Sequence, residues 1–197
     1  MRKIVMFNRV SADGYFADEH GGLDWTVPDD QLDQEAASGM PGSGTMLFGR
    51  KTYDIFEAFW PHAADEDPHA AGRHNPAIKK MADWINAAPK VVFSKTKRQV
   101  TWNNSRLLSH FDADEIRRMK ADSDKDIMIF GSGSIVSLLS QHRLIDQYRF
   151  VVGPQLLGHG QHMIRDMPHS LRLELQEVKQ YRSGNIQLCY APAKALV

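Results

Sequence analysis

The chain has 197 residues, of which 24 are basic and 24 acidic. That length suits one domain with a sizeable core, residues 1–197 taken together, and the cancelling charge, without a block of one sign, argues against a nucleic-acid groove or an anionic membrane surface. No apolar run reaches the length of a membrane span, the amino end with Asn8 and Arg9 does not read as a signal peptide, and the single Cys189 cannot form an internal disulfide. A cytoplasmic protein whose partners are small molecules or a second copy of itself is expected.

Lys3–Val10 reads as a strand, closed by the polar turn Ser11-Ala12-Asp13-Gly14. A helix is expected after Pro28, with Asp29 or Asp30 as N-cap and Leu32 and Ala36 turned inward. Glycines and Pro41 interrupt it before the apolar run Thr45–Phe48, and Gly49-Arg50-Lys51-Thr52 leads into Tyr53, Phe56 and Ala58 at helical spacing. Trp60–Asn75 reads as a polar loop. Its histidines and acids match no metal-ligand spacing, so no metal is expected.

Ile78, Met81, Trp84 and Ile85 mark the next helix, and Lys90–Phe93 a strand closed by Ser94-Lys95-Thr96. Asp112 and Glu115 fit a capping box for a helix through Met119. The apolar run Ile127–Phe130 then breaks at Gly131-Ser132-Gly133 and restarts at helical spacing with Ile135, Leu138 and Leu139. Such a strand–glycine–helix junction either cradles an anionic group on free helix amides or is an ordinary turn that binds nothing. The dinucleotide fingerprint is incomplete, because Val136 holds its third glycine position, and no nucleophile elbow surrounds Ser132 or Ser134. Tyr148, Phe150 and Val152 alternate as a strand ending at Gly153-Pro154. Leu171–Leu175 and Ile186–Tyr190 form a hairpin across Ser183-Gly184-Asn185, in which Cys189 reads as a buried structural thiol.

Strand–helix units with a closing hairpin imply an α/β fold: a central mixed, mostly parallel sheet with an antiparallel C-terminal hairpin and helices on both faces. Ligands of such sheets lie at the carboxyl ends of the strands, where the polar junctions after Phe48, Phe93 and Phe130 all fall.

Those segments, in that order, resemble the dihydrofolate reductase-like superfamily, and most closely the C-terminal reductase domain of bifunctional riboflavin-biosynthesis deaminase/reductases. The resemblance rests on Ser11–Gly14, Leu47–Tyr53, Val92–Thr96, Phe130–Ser134 and Gly153–Gly160, and spans nearly the whole chain. It implies the three-layer fold of that superfamily and NADPH as cofactor. Gly49, Arg50, Lys51 and Thr52 would meet the pyrophosphate and adenosine side, Ser94, Lys95 and Thr96 the ribose 2′-phosphate, and Gly131, Ser132, Gly133, Ser134 and Ile135 the nicotinamide half and second phosphate.

The segment Trp25-Thr26-Val27-Pro28-Asp29-Asp30 resembles the loop that precedes the active-site acid of dihydrofolate reductases, which puts Asp30 on that position. Asp30 is then either the acid that assists proton delivery or a helix cap, with Asp29 as its substitute one residue away. Asp13, Trp25, Gln155 and Leu157 would line the acceptor side with it. The implied reaction passes hydride to a pterin- or aminopyrimidine-like heterocycle of the 5-amino-6-ribosylaminouracil phosphate type. No zinc-deaminase signature accompanies it, so the chain reads as a stand-alone reductase unit. The competing expectation is a nucleotide-binding module of the same fold without turnover. Related domains pair, which makes a homodimer through the Tyr148–Phe150 edge or the hairpin the expected assembly.

Overall fold

The computed structural model describes residues 2–39, 43–63, 76–122 and 124–194. Its chain order is β1 (Ile4–Ser11), β2 (Tyr15–Ala17), α1 (Asp30–Gly39), β3 (Ser43–Gly49), α2 (Arg50–Phe59), α3 (Pro76–Ala87), β4 (Lys90–Phe93), β5 (Ser105–Leu108), α4 (Ala113–Ala121), β6 (Asp126–Phe130), α5 (Gly133–Gln141), β7 (Gln147–Gly153), β8 (Gln161–His162), β9 (Leu173–Gln180) and β10 (Ile186–Pro192). Eight strands form the main sheet in the order β5-β4-β3-β6-β1-β7-β10-β9. The six from β5 to β7 run parallel, and the reversal comes at β10, which pairs antiparallel with both β7 and β9. The mostly parallel sheet with an antiparallel C-terminal hairpin is therefore the observed fold.

Strand alternation divides the core between the two faces. From β1, Ile4 and Met6 join Leu47, Ile127 and Ile129 against Ile116 and Met119 of α4 and Ile135, Val136 and Leu139 of α5. Val5 faces the other way, with Met46, Phe48, Val92 and Phe130, against Tyr53 of α2 and Ala82 and Ile85 of α3. Leu32 of α1 completes that side with Val151 and Tyr181, and Phe7 packs against them. Ile127–Phe130, covered on both faces, has to be an unbroken apolar run. Full burial of each such side chain contributes roughly 1.5–3 kcal/mol.

Several elements depart from the sequence reading. Trp60, expected to open a polar loop, lies buried in a 3-10 turn over Trp60–His62, because it packs on Phe56. Residues 64–75 of that loop fall outside the described residues. The capping box of α4 is half formed: Asp112 accepts from the Asp114 amide at 2.8 Å, but the Glu115 side chain pairs with Arg106 at 2.8 Å instead of turning back. Ala37 is buried in α1, and β2, β5 and β8, of two to four residues, are strands too short to show a period in the sequence.

Candidate functional site

β1 outruns one neighbour. It pairs with β6 as far as Phe7–Phe130, while its pairing with β7 continues to Ser11–Gly153. Asn8–Ser11 therefore border an opening at the carboxyl edge, beside the junctions that follow β6, β3 and β4.

Two helices begin on adjacent strands there and are tied together. Ser132, left-handed at φ 60°, turns its hydroxyl away from its own helix α5 and accepts the Gly49 amide at 2.7 Å, in front of α2. Gly131, at φ 57°, donates its amide to Asn8 Oδ1 at 2.6 Å; a Cβ on it would come within 2.9 Å of Thr52 Cγ2. In the first turn of α5 the amides of Ile135 and Val136 bond to the Ser132 carbonyl, whereas those of Gly133 and Ser134 meet no acceptor among the described residues. Gly49 caps α2 without a side-chain bond. The result is two helix amino ends, both carrying open donors and partial positive charge, converging across β3 and β6.

Other expected cofactor residues divide by task. Gly133 is required by packing, since its Cβ would lie 2.8 Å from the Met163 carbonyl, and the Ile135 side chain belongs to the core. Ser94 shapes the turn after β4 by accepting the amides of Thr96 at 3.2 Å and Lys97 at 2.9 Å. Lys95 and Thr96 are exposed, as are Arg50 and Lys51. Arg50 pairs with Asp54 at 3.3 Å, and Lys97 with the same carboxylate at 2.7 Å. Lys95 meets no partner among the described residues.

At the far end, Asp13 grips the loop after β7. Its carboxylate accepts the Ser11 hydroxyl at 2.6 Å and the amides of Leu157 at 3.1 Å and Gly158 at 2.7 Å. The Ser11 hydroxyl, with the Gly158 amide, holds the carboxyl down at about 2. Gln155 is exposed, and its carbonyl accepts the Ala12 amide at 2.8 Å. The Trp25 ring lies against Gly153, with its Nε1 buried and without a partner among the described residues. Asp29 caps α1, accepting the Leu32 amide at 2.9 Å, while Asp30 stands exposed in the first turn.

Sequence reasoning passed over the roles of two residues of this region. Asn8, 6% exposed, fixes Gly131 and leaves its Nδ2 without a partner among the described residues. Arg9 reaches from β1 to Asp33 of α1 at 3.1 Å. The available signal was a polar pair inside an otherwise apolar strand. Among the described residues no cluster of three metal-ligating side chains occurs, and no helix is long and apolar enough to cross a membrane.

The groove residues fit an anionic dinucleotide. Among the described residues, open helix amides, a glycine turn a side chain would obstruct, the orphaned Asn8 amide and the unpaired Lys95 lie along the adjacent strands β1, β6, β3 and β4. Solved structures share this scaffold. A putative riboflavin biosynthesis protein from Shewanella sp. PV-4 superposes with a TM-score of 0.75 at 21% identity, covering 98% of this chain and 99% of that one. Dihydrofolate reductase from Enterococcus faecalis, complexed with NADP(H), gives 0.63 at 12% identity, covering 98% and 97%. In sequence, the uncharacterized protein YyaP of Bacillus subtilis (strain 168) is 24% identical over 189 residues, 96% of this chain and 94% of that protein. The RibD C-terminal domain family matches residues 2–187, almost the whole chain, and it is to this family of reductase-like folds that the chain belongs.

Proposed function

We propose that the chain is an NADPH-dependent reductase of a small heterocyclic acceptor. The observation that carries this reading is the paired amino ends of α2 and α5, locked by the Gly49–Ser132 and Gly131–Asn8 hydrogen bonds. Two such ends on neighbouring strands supply open amides and dipole charge for a pyrophosphate. Strands lie about 4.8 Å apart, so the carboxyl ends from β4 to β7 span about 19 Å. An extended dinucleotide laid along them would put its adenosine half near Lys95 and its nicotinamide near β1.

Bound there, NADPH would supply a hydride which, with a proton from solvent or a side chain, would convert an acceptor C=N or C=O into C–H with N–H or O–H and leave NADP+. The chain's own task is to orient the two and exclude water. Asp30, exposed at the start of α1, would assist the proton transfer. Lys95 would select the 2′-phosphate, because NADH presents no anion there.

Titration of the purified protein with NADPH and with NADH, followed by tryptophan fluorescence, tests this. NADPH is expected to bind more tightly. Lys95→Ala should weaken NADPH by tenfold or more and leave NADH within twofold; equal loss for both would remove Lys95 from the 2′-phosphate site, and no binding of either coenzyme in the parent protein would refute the reductase reading.

A further inference from the structure

Two cations at the β4 end of the groove share one carboxylate, and they hold it unequally. Lys97 Nζ meets Asp54 Oδ1 at 2.7 Å, and Arg50 Nη1 meets Asp54 Oδ2 at 3.3 Å. Lys97 is fixed at both ends: its amide donates to Ser94 Oγ at 2.9 Å, its ammonium lies over the Tyr53 ring at 5.0 Å, and its side chain is 23% exposed. Glu57, further along α2, stands 3.9 Å from that ammonium and accepts instead the hydroxyls of Thr101 at 2.7 Å and Tyr53 at 2.9 Å. The hydrogen bond to Asp54 also raises the Lys97 ammonium above its ordinary value. Arg50 is held less firmly. Its side chain is 45% exposed, its one contact is long, and its other N–H groups meet no acceptor among the described residues. It stands with Lys51 in the first turn of α2, which carries no acidic residue and where the helix dipole disfavours a cation.

We propose that Arg50 is a two-position side chain: paired with Asp54 in the free protein, it turns to the coenzyme's 2′-phosphate on binding, and Lys97 is the counter-ion left on Asp54. When Arg50 leaves, Asp54 keeps its shorter bond to Lys97, so the carboxylate is never left without a cation. Arg50 gives up an exposed ion pair of small strength and gains a phosphate that accepts its planar fork on two oxygens. Asp54 is therefore a competing anion that tempers NADPH affinity, and Lys97 is a positioning residue that weakens this competition without touching the phosphate. NADH carries no anion at that position, so Arg50 stays on Asp54 and the exchange acts on one coenzyme alone. This assignment rests on the reductase reading for its coenzyme.

The experiment titrates NADPH and NADH into the full chain and its variants, followed by tryptophan fluorescence. Asp54→Asn frees Arg50 and should tighten NADPH by about threefold, the scale of an exposed ion pair. Lys97→Gln leaves Asp54 to Arg50 and should weaken NADPH by about the same factor, with NADH within about twofold in both variants. In an Arg50→Met background both changes should leave NADPH within about twofold of Arg50→Met alone, because their effect passes through the missing guanidinium. A direct contact of Lys97 with the phosphate, or a general change of local charge, would persist in that background. If Lys97→Gln does not fold, Asp54→Asn with and without Arg50→Met carries the test. The exchange is overturned by NADPH affinity that is unchanged or weaker in Asp54→Asn, by folded Lys97→Gln that binds NADPH as the parent does, by equal effects on NADH, or by effects that persist in Arg50→Met. In each of those cases NADPH-preferring binding by the parent protein leaves the reductase reading standing. Binding of neither coenzyme by the parent overturns that reading and the exchange with it.

Discussion

Gly131 answers to three constraints at once: a left-handed φ of 57°, an amide committed to Asn8, and Thr52 packed where its side chain would be. Alanine in that conformation costs about 1–2 kcal/mol, before the 2.9 Å approach to Thr52 Cγ2 displaces the α2 amino end. Gly131→Ala should therefore weaken NADPH and NADH by the same factor, at least tenfold, since both carry the pyrophosphate that the turn would hold. The coenzyme titration separates this from Lys95→Ala, which acts on one of the two; an unchanged affinity would show that the turn serves packing alone. The glycine was legible in the sequence because it interrupts an apolar run. Asn8 was marked only as a polar residue in an apolar strand; its partner is a residue 123 positions away in sequence, and no local pattern encodes a contact of that range.

Among the elements, the loops at the carboxyl edge depend on single side chains. The Asp13 carboxyl, lowered to about 2 from its ordinary 3.8, favours the folded loop at every pH above 3.8, and this contribution disappears as the pH falls toward 2. Hydrogen exchange at Leu157 and Gly158 should stay protected at pH 4 in the parent protein and become fast in Asp13→Ala at the same pH; equal protection in both would mean that other bonds hold the loop. At the opposite, amino edge of the sheet, α3, β4 and the turn before β5 meet at Lys90. Burial pushes its ammonium down to about 8, still charged at neutral pH, and it donates to the carbonyls of Ala88 at 2.8 Å, Asn86 at 3.0 Å and Asn103 at 3.2 Å beneath the Trp102 ring. Lys90→Met would leave these carbonyls unmatched and should lower unfolding free energy by about 2–4 kcal/mol in a denaturant melt; an unchanged midpoint would show that water replaces the ammonium. Sequence periodicity marked α3 and β4 correctly and read Lys90 only as the first residue of a strand. A charged side chain that closes a helix end from the next element has no period to reveal it.

For the whole molecule, the order of strands matters more than their identities. Each parallel strand could be inferred from its apolar run, but the arrangement β4-β3-β6-β1 depends on crossovers that return the chain to both sides of β3 and β1, and a sequence read segment by segment contains no such information. The consequence is that one ligand would touch parts of the chain far apart in sequence: the carboxyl half of β1 at Asn8, the start of α2 at Gly49–Thr52, the turn at Ser94–Thr96 and the start of α5. A ligand of this kind binds the native state and has nothing to bind once the strands separate, so it should stabilise the protein globally and not as a local loop effect. With NADPH at 100 times its dissociation constant the gain is about 2.7 kcal/mol, and for a chain of this size each kcal/mol raises Tm by about 2–4 °C. A single cooperative transition displaced upward by about 5–10 °C is therefore expected in a thermal scan, with a smaller displacement for NADH at equal concentration. Two separated transitions, of which NADPH moves only one, would show that the strand ends do not act as one site, because a dinucleotide spanning β4 to β1 must couple every strand between them.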